Sequence, residues 1–173
     1  MGTAILVGDP PTGLDGAPMM NRRRLASLLA CCLLVLPARG QEGDTERERA
    51  IAQVLAMNGT VQRDETKPGT PVVGVDLSNM LVSDAGLAHL KGLTTLKSLN
   101  LFATQITDAG LAHLKGLTTL KYLELSGTRV GDAGLAHLKG LTGLMSLNLE
   151  NTQVTDAGVN EFQLVLPHVN MIR

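Results

Sequence analysis

The chain has no tryptophan, one tyrosine and two phenylalanines among its 173 residues. Phe102, Tyr122 and Phe162 are therefore its only phenyl-type rings, and any core must be built mainly from aliphatic side chains. Cysteine is scarce too: Cys31 and Cys32 stand side by side near the N-terminus, and none follows. A disulfide framework or a thiolate zinc site beyond that point is excluded. There is no excess of either charge. The whole chain is at −1, and removal of residues 1–40, with four arginines and two aspartates, leaves −3. A polyanion binder carries a marked basic surplus, so nucleic acid is not expected as a partner. The apolar run Leu25–Leu36 is twelve residues long, well short of the roughly 20 that a spanning helix needs. No stable membrane span is expected. No HExxH, glycine-rich phosphate loop or Ser–His–Asp set can be read either, so the sequence offers no candidate catalytic residues and no cofactor.

What is present begins with an export-like leader. Arg22-Arg23-Arg24 precedes the apolar run, and Pro37-Ala38-Arg39-Gly40 leads into polar sequence. Basic cluster, short apolar stretch and small residues at Ala38 and Gly40 are the order of a secretory signal, with Gln41 as the mature N-terminus. Secretion or release into a periplasm is the expected localisation. Two other readings stay open: Leu28-Leu29-Ala30-Cys31 resembles a lipoprotein box, and Asn21–Leu25 a twin-arginine signal. Residues 1–18, rich in Gly and Pro, precede the basic cluster awkwardly, and Met19 or Met20 makes a better start.

Beyond residue 71 the text repeats itself. Asp84, Asp108, Asp132 and Asp156 follow one another at intervals of 24 residues. Asp-Ala-Gly-Leu-Ala-His-Leu-Lys-Gly-Leu begins at each of the first three, and the fourth copy diverges after Asp156-Ala157-Gly158-Val159. Between them a second element recurs: Leu96, Leu99, Leu101, Thr104, Ile106, then Leu120, Leu123, Leu125, Thr128, Val130, then Leu144, Leu147, Leu149, Thr152, Val154. Val72, Val75, Leu77, Met80 and Val82 form a degenerate first copy. Self-similarity at a fixed period of this length denotes stacked supersecondary units.

On these residues the sequence resembles the leucine-rich-repeat family over about residues 72–173. The Thr-Asp-x-Gly-Leu flavour is similar to repeats of ribonuclease-inhibitor-like and F-box-associated proteins and of exported bacterial leucine-rich-repeat proteins. The resemblance implies an α/β fold: a short curved solenoid with a parallel sheet on the concave face and helices on the convex face. It also implies protein binding rather than catalysis. One departure is plain, since the family's Asn or Cys after the strand is here Met80, Thr104, Thr128 and Thr152. A threonine hydroxyl can still bond loop backbone, with fewer donors than asparagine.

The residues support the same architecture without the family. Leu99 and Leu101 alternate with polar neighbours, the period of a strand with one buried face. Asp108 is placed as N-cap or first-turn anion of a helix, with Leu111 and Leu114 inward. Lys115 would close the helix, Gly116 would terminate it in the left-handed conformation, and Leu117 would fold back. A single coil cannot bury its apolar face, so stability belongs to the stack. Residues 41–71 are expected to form an N-terminal cap of helix, strand and loop. Thr45-x-x-Glu48 reads as a capping box, Ile51, Val54 and Leu55 as an apolar stripe, Asn58-Gly59 as the helix end, and Thr60–Arg63 as an edge strand. At the other end Val159, Phe162 and Leu166 form a bulkier last helix stopped by Pro167, with Val169–Ile172 closing the sheet. Capping at both ends points to a complete small domain.

His89, His113 and His137 recur and invite a metal reading. Neighbouring copies stand one coil apart, too far to share an ion held by bonds of about 2 Å, so a solvent-facing column is expected and no metal site. The surface that varies is the outward side of the strands. Its columns are Gly74, Ser98, Tyr122, Ser146; Asp76, Asn100, Glu124, Asn148; and Ser78, Phe102, Ser126, Glu150. The helical text is nearly copied while these positions differ, which marks a candidate partner-binding face comprising Asp76, Asn100, Phe102, Tyr122, Glu124, Asn148 and Glu150. Strand-exterior positions that simply tolerate change are the competing explanation. Asp76, Glu124 and Glu150 favour a protein partner with a basic, partly apolar patch, and a monomer is expected. Three functional classes follow: an exported, non-catalytic protein–protein interaction module; an F-box-like intracellular substrate adaptor of ubiquitin-ligase type, for which residues 41–58 leave too little room for an F-box bundle; and an envelope or cell-surface structural or adhesion protein, which lipidation of Cys31 would favour.

Overall fold

Each 24-residue period makes one strand and one helical segment, and the strands lie side by side in chain order. The computed structural model describes residues 42–173, so the leader of residues 1–40, with Cys31 and Cys32, lies outside the described residues. The elements are α1 (Glu42–Ala56), β1 (Thr60–Arg63), β2 (Val72–Asp76), α2 (Asp84–Leu87), β3 (Ser98–Asn100), α3 (Asp108–Leu111), β4 (Tyr122–Glu124), α4 (Asp132–Leu138), β5 (Ser146–Asn148), α5 (Asp156–Val165) and β6 (Asn170–Ile172). They form one open six-stranded sheet in the order β1-β2-β3-β4-β5-β6. β1 runs antiparallel to β2, and every later pair is parallel. The register advances by one repeat per strand, so Val75, Leu99, Leu123, Leu147 and Met171 form a single row.

The core is a stack of aliphatic layers between sheet and helices. Leu99, Leu101, Leu111, Leu114, Leu117, Leu120 and their equivalents are buried. Phe162 alone among the aromatics joins them, filling the wider final layer under α5. In the three later turns, though not at Met80, a threonine closes the loop as its hydroxyl donates to the carbonyl three residues back: Thr104 to Leu101 (2.8 Å), Thr128 to Leu125 (2.6 Å) and Thr152 to Leu149 (2.6 Å). The substituted asparagine position thus works coil by coil.

Several local expectations are corrected. Thr45 lies within α1, so it is not the capping residue, and the buried stripe of α1 is Ala50, Ile51 and Val54 while Leu55 faces solvent. Asn58 does end that helix, in the left-handed conformation at φ 59°. Gly116 is not left-handed. The left-handed residues stand after the strands instead: Asn79, Ala103, Gly127 and Asn151, one per coil. The helices are also shorter than the text implies, because α2 and α3 are single turns continued by 3-10 segments at Ala88–Gly92 and Ala112–Leu114. A 3-10 turn rises about 2.0 Å per residue against about 1.5 Å in an α-helix, so fewer residues carry the chain along each coil.

Of the two readings of the aspartates, the first-turn anion holds and the N-cap does not: Thr107 and Thr155 are N-caps, and each aspartate is the first helical residue. What one repeat does not show is where the carboxylate goes. It serves the next coil. Thr107 donates its N–H to Asp84 Oδ1 (2.8 Å) and its hydroxyl to Asp84 Oδ2 (2.6 Å). Gly131 donates its N–H to Asp108 Oδ1 (2.7 Å). Thr155 repeats the double bond to Asp132, at 2.8 and 2.7 Å. At the last coil Asp156 pairs with Arg173. The adjoining glycines belong to the same device: a Cβ on Gly110, Gly134 or Gly158 would collide with Asp84, Asp108 or Asp132 respectively. Asp-Ala-Gly is therefore a clasp between successive coils.

Candidate functional site: the sheet face and its turns

Strand alternation puts Ser98, Tyr122 and Ser146 in one row and Asp76, Asn100, Glu124 and Asn148 in the next. Both rows lie on the side away from the aliphatic core, because the residues between them are buried. Tyr122 is the prominent feature at 51% exposed, with a serine on each neighbouring strand. Gly74, the first member of that row, is covered by the Gln62 side chain arriving from β1.

The acid–amide row is bonded internally. Ser78 donates its N–H to Asp76 Oδ1 (2.8 Å), Phe102 to Asn100 Oδ1 (3.0 Å), Ser126 to Glu124 Oε1 (2.8 Å) and Glu150 to Asn148 Oδ1 (3.0 Å). Every member thus holds the turn two residues further on, the bond pattern of an Asx turn. Two bonds also cross between coils, with Asn100 Nδ2 donating to Asp76 Oδ2 (3.2 Å) and Asn148 Nδ2 to Glu124 Oε2 (2.9 Å). Partial burial alone would raise the Asp76 pKa. The hydrogen bonds from Ser78 and Asn100 outweigh it and hold the carboxyl below its ordinary value.

The third column departs from the expected geometry. Phe102 and Glu150 are exposed but stand in the turns beyond β3 and β5, and Ser126 is buried against Glu124. Phe102 precedes Ala103, which holds φ 53° where the other coils carry Asn, Gly and Asn. Two groups thus emerge: a shallow groove of about 260 Å³ along β3, β4 and β5, lined by Ser98, Asn100, Tyr122, Glu124, Ser146 and Asn148, and a turn rim carrying Phe102 and Glu150. Ile172 of β6 also lines the groove. Its place there is not readable from the repeat, since β6 belongs to no full copy.

Behind the sheet, His89 is exposed while His113 and His137 are half-buried along the helical side. Among the described residues no three His, Cys, Asp or Glu side chains come together as a metal-binding group. No helix among them is long and apolar enough to cross a membrane.

An open sheet, parallel from β2 onward, with helical segments between strands at a fixed 24-residue step, defines a repeat solenoid. Residues 92–114 and 116–138 each match the family described as Leucine Rich repeat. Those two segments are leucine-rich repeats, and the coils on either side of them keep the same 24-residue period. Comparison of the chain with curated proteins finds no match. Among solved structures it is similar to an internalin C2 of Listeria monocytogenes, at 31% identity over 49% of this chain and 34% of that one, with a TM-score of 0.42. It is similar also to a second internalin of that organism, at 20% identity over 81% of this chain and 46% of that one, with a TM-score of 0.48. A leucine-rich-repeat protein of Leptospira interrogans gives 16% identity over 50% and 21% of the two chains and a TM-score of 0.40. The chain spans less than half the length of each of these three.

Proposed function

We propose that this protein is an exported, non-catalytic protein-interaction module that engages its partner through the sheet face and the adjoining turns. The observation that carries the reading is the contrast between the two sides. The ten residues from Asp84 recur unchanged from Asp108 and Asp132, while each strand-face row changes from coil to coil. Tyr122 and Phe102, two of only three Phe, Tyr or Trp residues in the chain, are exposed on the variable side. An aliphatic solenoid has no packing use for either, and exposed aromatics are the usual anchors of an interface. The leucine-rich repeats support binding rather than catalysis, by analogy of fold. Asp76, Asn100, Phe102, Tyr122, Glu124, Asn148 and Glu150 are the proposed contact residues, and a protein with a basic, partly apolar patch is the proposed partner. Release into a periplasm or to the exterior rests on the sequence order of residues 21–40.

The test compares two double variants against a partner recovered with the mature protein from a periplasmic or extracellular extract. Phe102→Ser with Tyr122→Ser should leave the fold nearly intact and weaken binding by about 1–2 kcal/mol or more. His113→Ala with His137→Ala should change binding little. The reverse result would place the functional surface on the helical side and overturn the reading.

A further inference from the structure

Tyr122 and Glu124 lie two residues apart on one strand, so their side chains leave the same face at a spacing of about 6–7 Å. Their neighbours in register are small or neutral: Ser98 and Ser146 beside Tyr122, and Asn100 and Asn148 beside Glu124. The serines leave both sides of the exposed ring uncrowded. The groove over these residues, about 260 Å³, has room for one long side chain.

The carboxylate is already aimed. Its Oε1 accepts from the N–H and the hydroxyl of Ser126, and its Oε2 accepts from Asn148 Nδ2 at 2.9 Å. Those bonds fix its rotamer without neutralising it, since no Lys or Arg among the described residues forms an ion pair with it. A half-buried carboxylate held beside an exposed aromatic face is therefore the main electrostatic feature of the groove. The charge and the ring quadrupole attract the same kind of group, a cation.

We infer that the β4 groove is a subsite for a single arginine side chain presented by the protein partner. Its guanidinium lies against the Tyr122 ring and donates in-plane to Glu124. This rests on the sheet-face reading of function and specifies the chemistry recognised there. Arginine fits better than lysine for geometric reasons. A planar guanidinium can stack flat and still donate along its edge, whereas an ammonium is a compact, strongly hydrated point charge. The hydroxyls of Ser98 and Ser146 supply neutral acceptors at the flanks. An acidic peptide or a phosphate is disfavoured by the same carboxylate.

Tyr122 is also the reporter. It is the only tyrosine and the chain has no tryptophan, so tyrosine emission reads this groove alone. The probe is the peptide acetyl-Gly-Arg-Gly-amide titrated into the full chain, with the isosteric citrulline peptide and the lysine peptide as comparisons. The expected result is a saturating change in Tyr122 emission with the arginine peptide in the millimolar range, weaker with lysine and absent with citrulline. Glu124→Gln keeps an acceptor for Ser126 and should weaken the response at least about tenfold, the loss of one charge-assisted bond. Ser146→Lys, which leaves Glu124 in place and puts a competing cation in the groove, should weaken it comparably while thermal unfolding confirms an intact fold. An equal response to arginine and citrulline, or an unchanged response in Glu124→Gln, overturns the arginine subsite. That failure is distinguishable from failure of the interaction-module reading, which falls only if partner capture survives loss of Phe102 and Tyr122 and is abolished by loss of His113 and His137.

Discussion

The two sides of this solenoid hold their polar residues to different purposes. On the helical side the Asp-Ala-Gly clasp joins one coil to the next, and its text is repeated because the contact is repeated. On the sheet side the acid–amide row mainly bonds the turn two residues ahead in its own coil. Any side chain with an acceptor at the right reach does that work, and Asp76, Asn100, Glu124 and Asn148 all do it. The lesson is that invariance in a repeat marks coil-to-coil geometry, while freedom to vary marks positions whose structural demand is only local. That freedom is what a binding surface needs, and it explains how the sheet face can diversify without loosening the stack.

The interior should be indifferent to this distinction, and it gives the largest effect. Leu123 is 3% exposed in the central row between Leu99 and Leu147. Leu123→Ala should cost about 2–5 kcal/mol, the range for truncation in a packed core. A domain holds only about 5–15 kcal/mol in total, so the denaturant midpoint should fall clearly. An unchanged midpoint would mean that the strand register is wrong.

A sharper contrast lies among the glycines. Gly134 meets Asp108 Oδ1, Val130 and Leu111, so Gly134→Ala forces the clasp apart and should cost about 1–3 kcal/mol. Gly116 belongs to the same repeated text, yet a Cβ there meets nothing and its φ is not in the left-handed region. Gly116→Ala should instead stabilise by up to about 1 kcal/mol, through the unfolded chain. Comparison of the two melting temperatures tests whether invariance at Gly134 comes from the clasp. Equal destabilisation by both would break the argument.

The fold was legible because it is written in leucines at a fixed period, and burial responds to that pattern directly. The strand rows and the edge strands at Thr60–Arg63 and near Val169–Ile172 followed from alternation and spacing, and the loop-bonding threonines from their match to the family's asparagine position. The aspartates and glycines did not. An Asp before a helix satisfies the local capping rule, so nothing within one repeat reveals that its carboxylate is taken by the following coil. One signal was available: glycine as the third residue of a helix is unfavourable, and its return at Gly110, Gly134 and Gly158 marks close approach. The site was legible by row but not by depth. Alternation placed Tyr122 and Glu124 together, but it also placed Phe102 on the strand face, where the strand has already ended in a turn that Asn100 holds.

The clasp at the third junction should carry the smallest effect, and one that depends on pH. Hydrogen bonds from the Thr155 hydroxyl and N–H hold the Asp132 carboxyl below its ordinary pKa, and Arg173 adds to them. A carboxyl depressed in the folded state contributes stability at pH values above its unfolded pKa of about 3.9. That contribution fades as pH falls through the ordinary value toward the depressed one, because the unfolded chain then binds the proton first. Thr155→Val removes the hydroxyl bond to Asp132 and also the weaker bond to Gly158 N–H. The second loss is independent of pH, whereas the first is larger when its acceptor is ionised. The difference in melting temperature between the parent chain and Thr155→Val should therefore be larger at pH 6 than at pH 3, without vanishing at pH 3. A difference that stayed constant across this range would mean that the Asp132 clasp contributes nothing measurable. The repetition of the aspartates would then need another cause, such as the close contact with Gly158 alone.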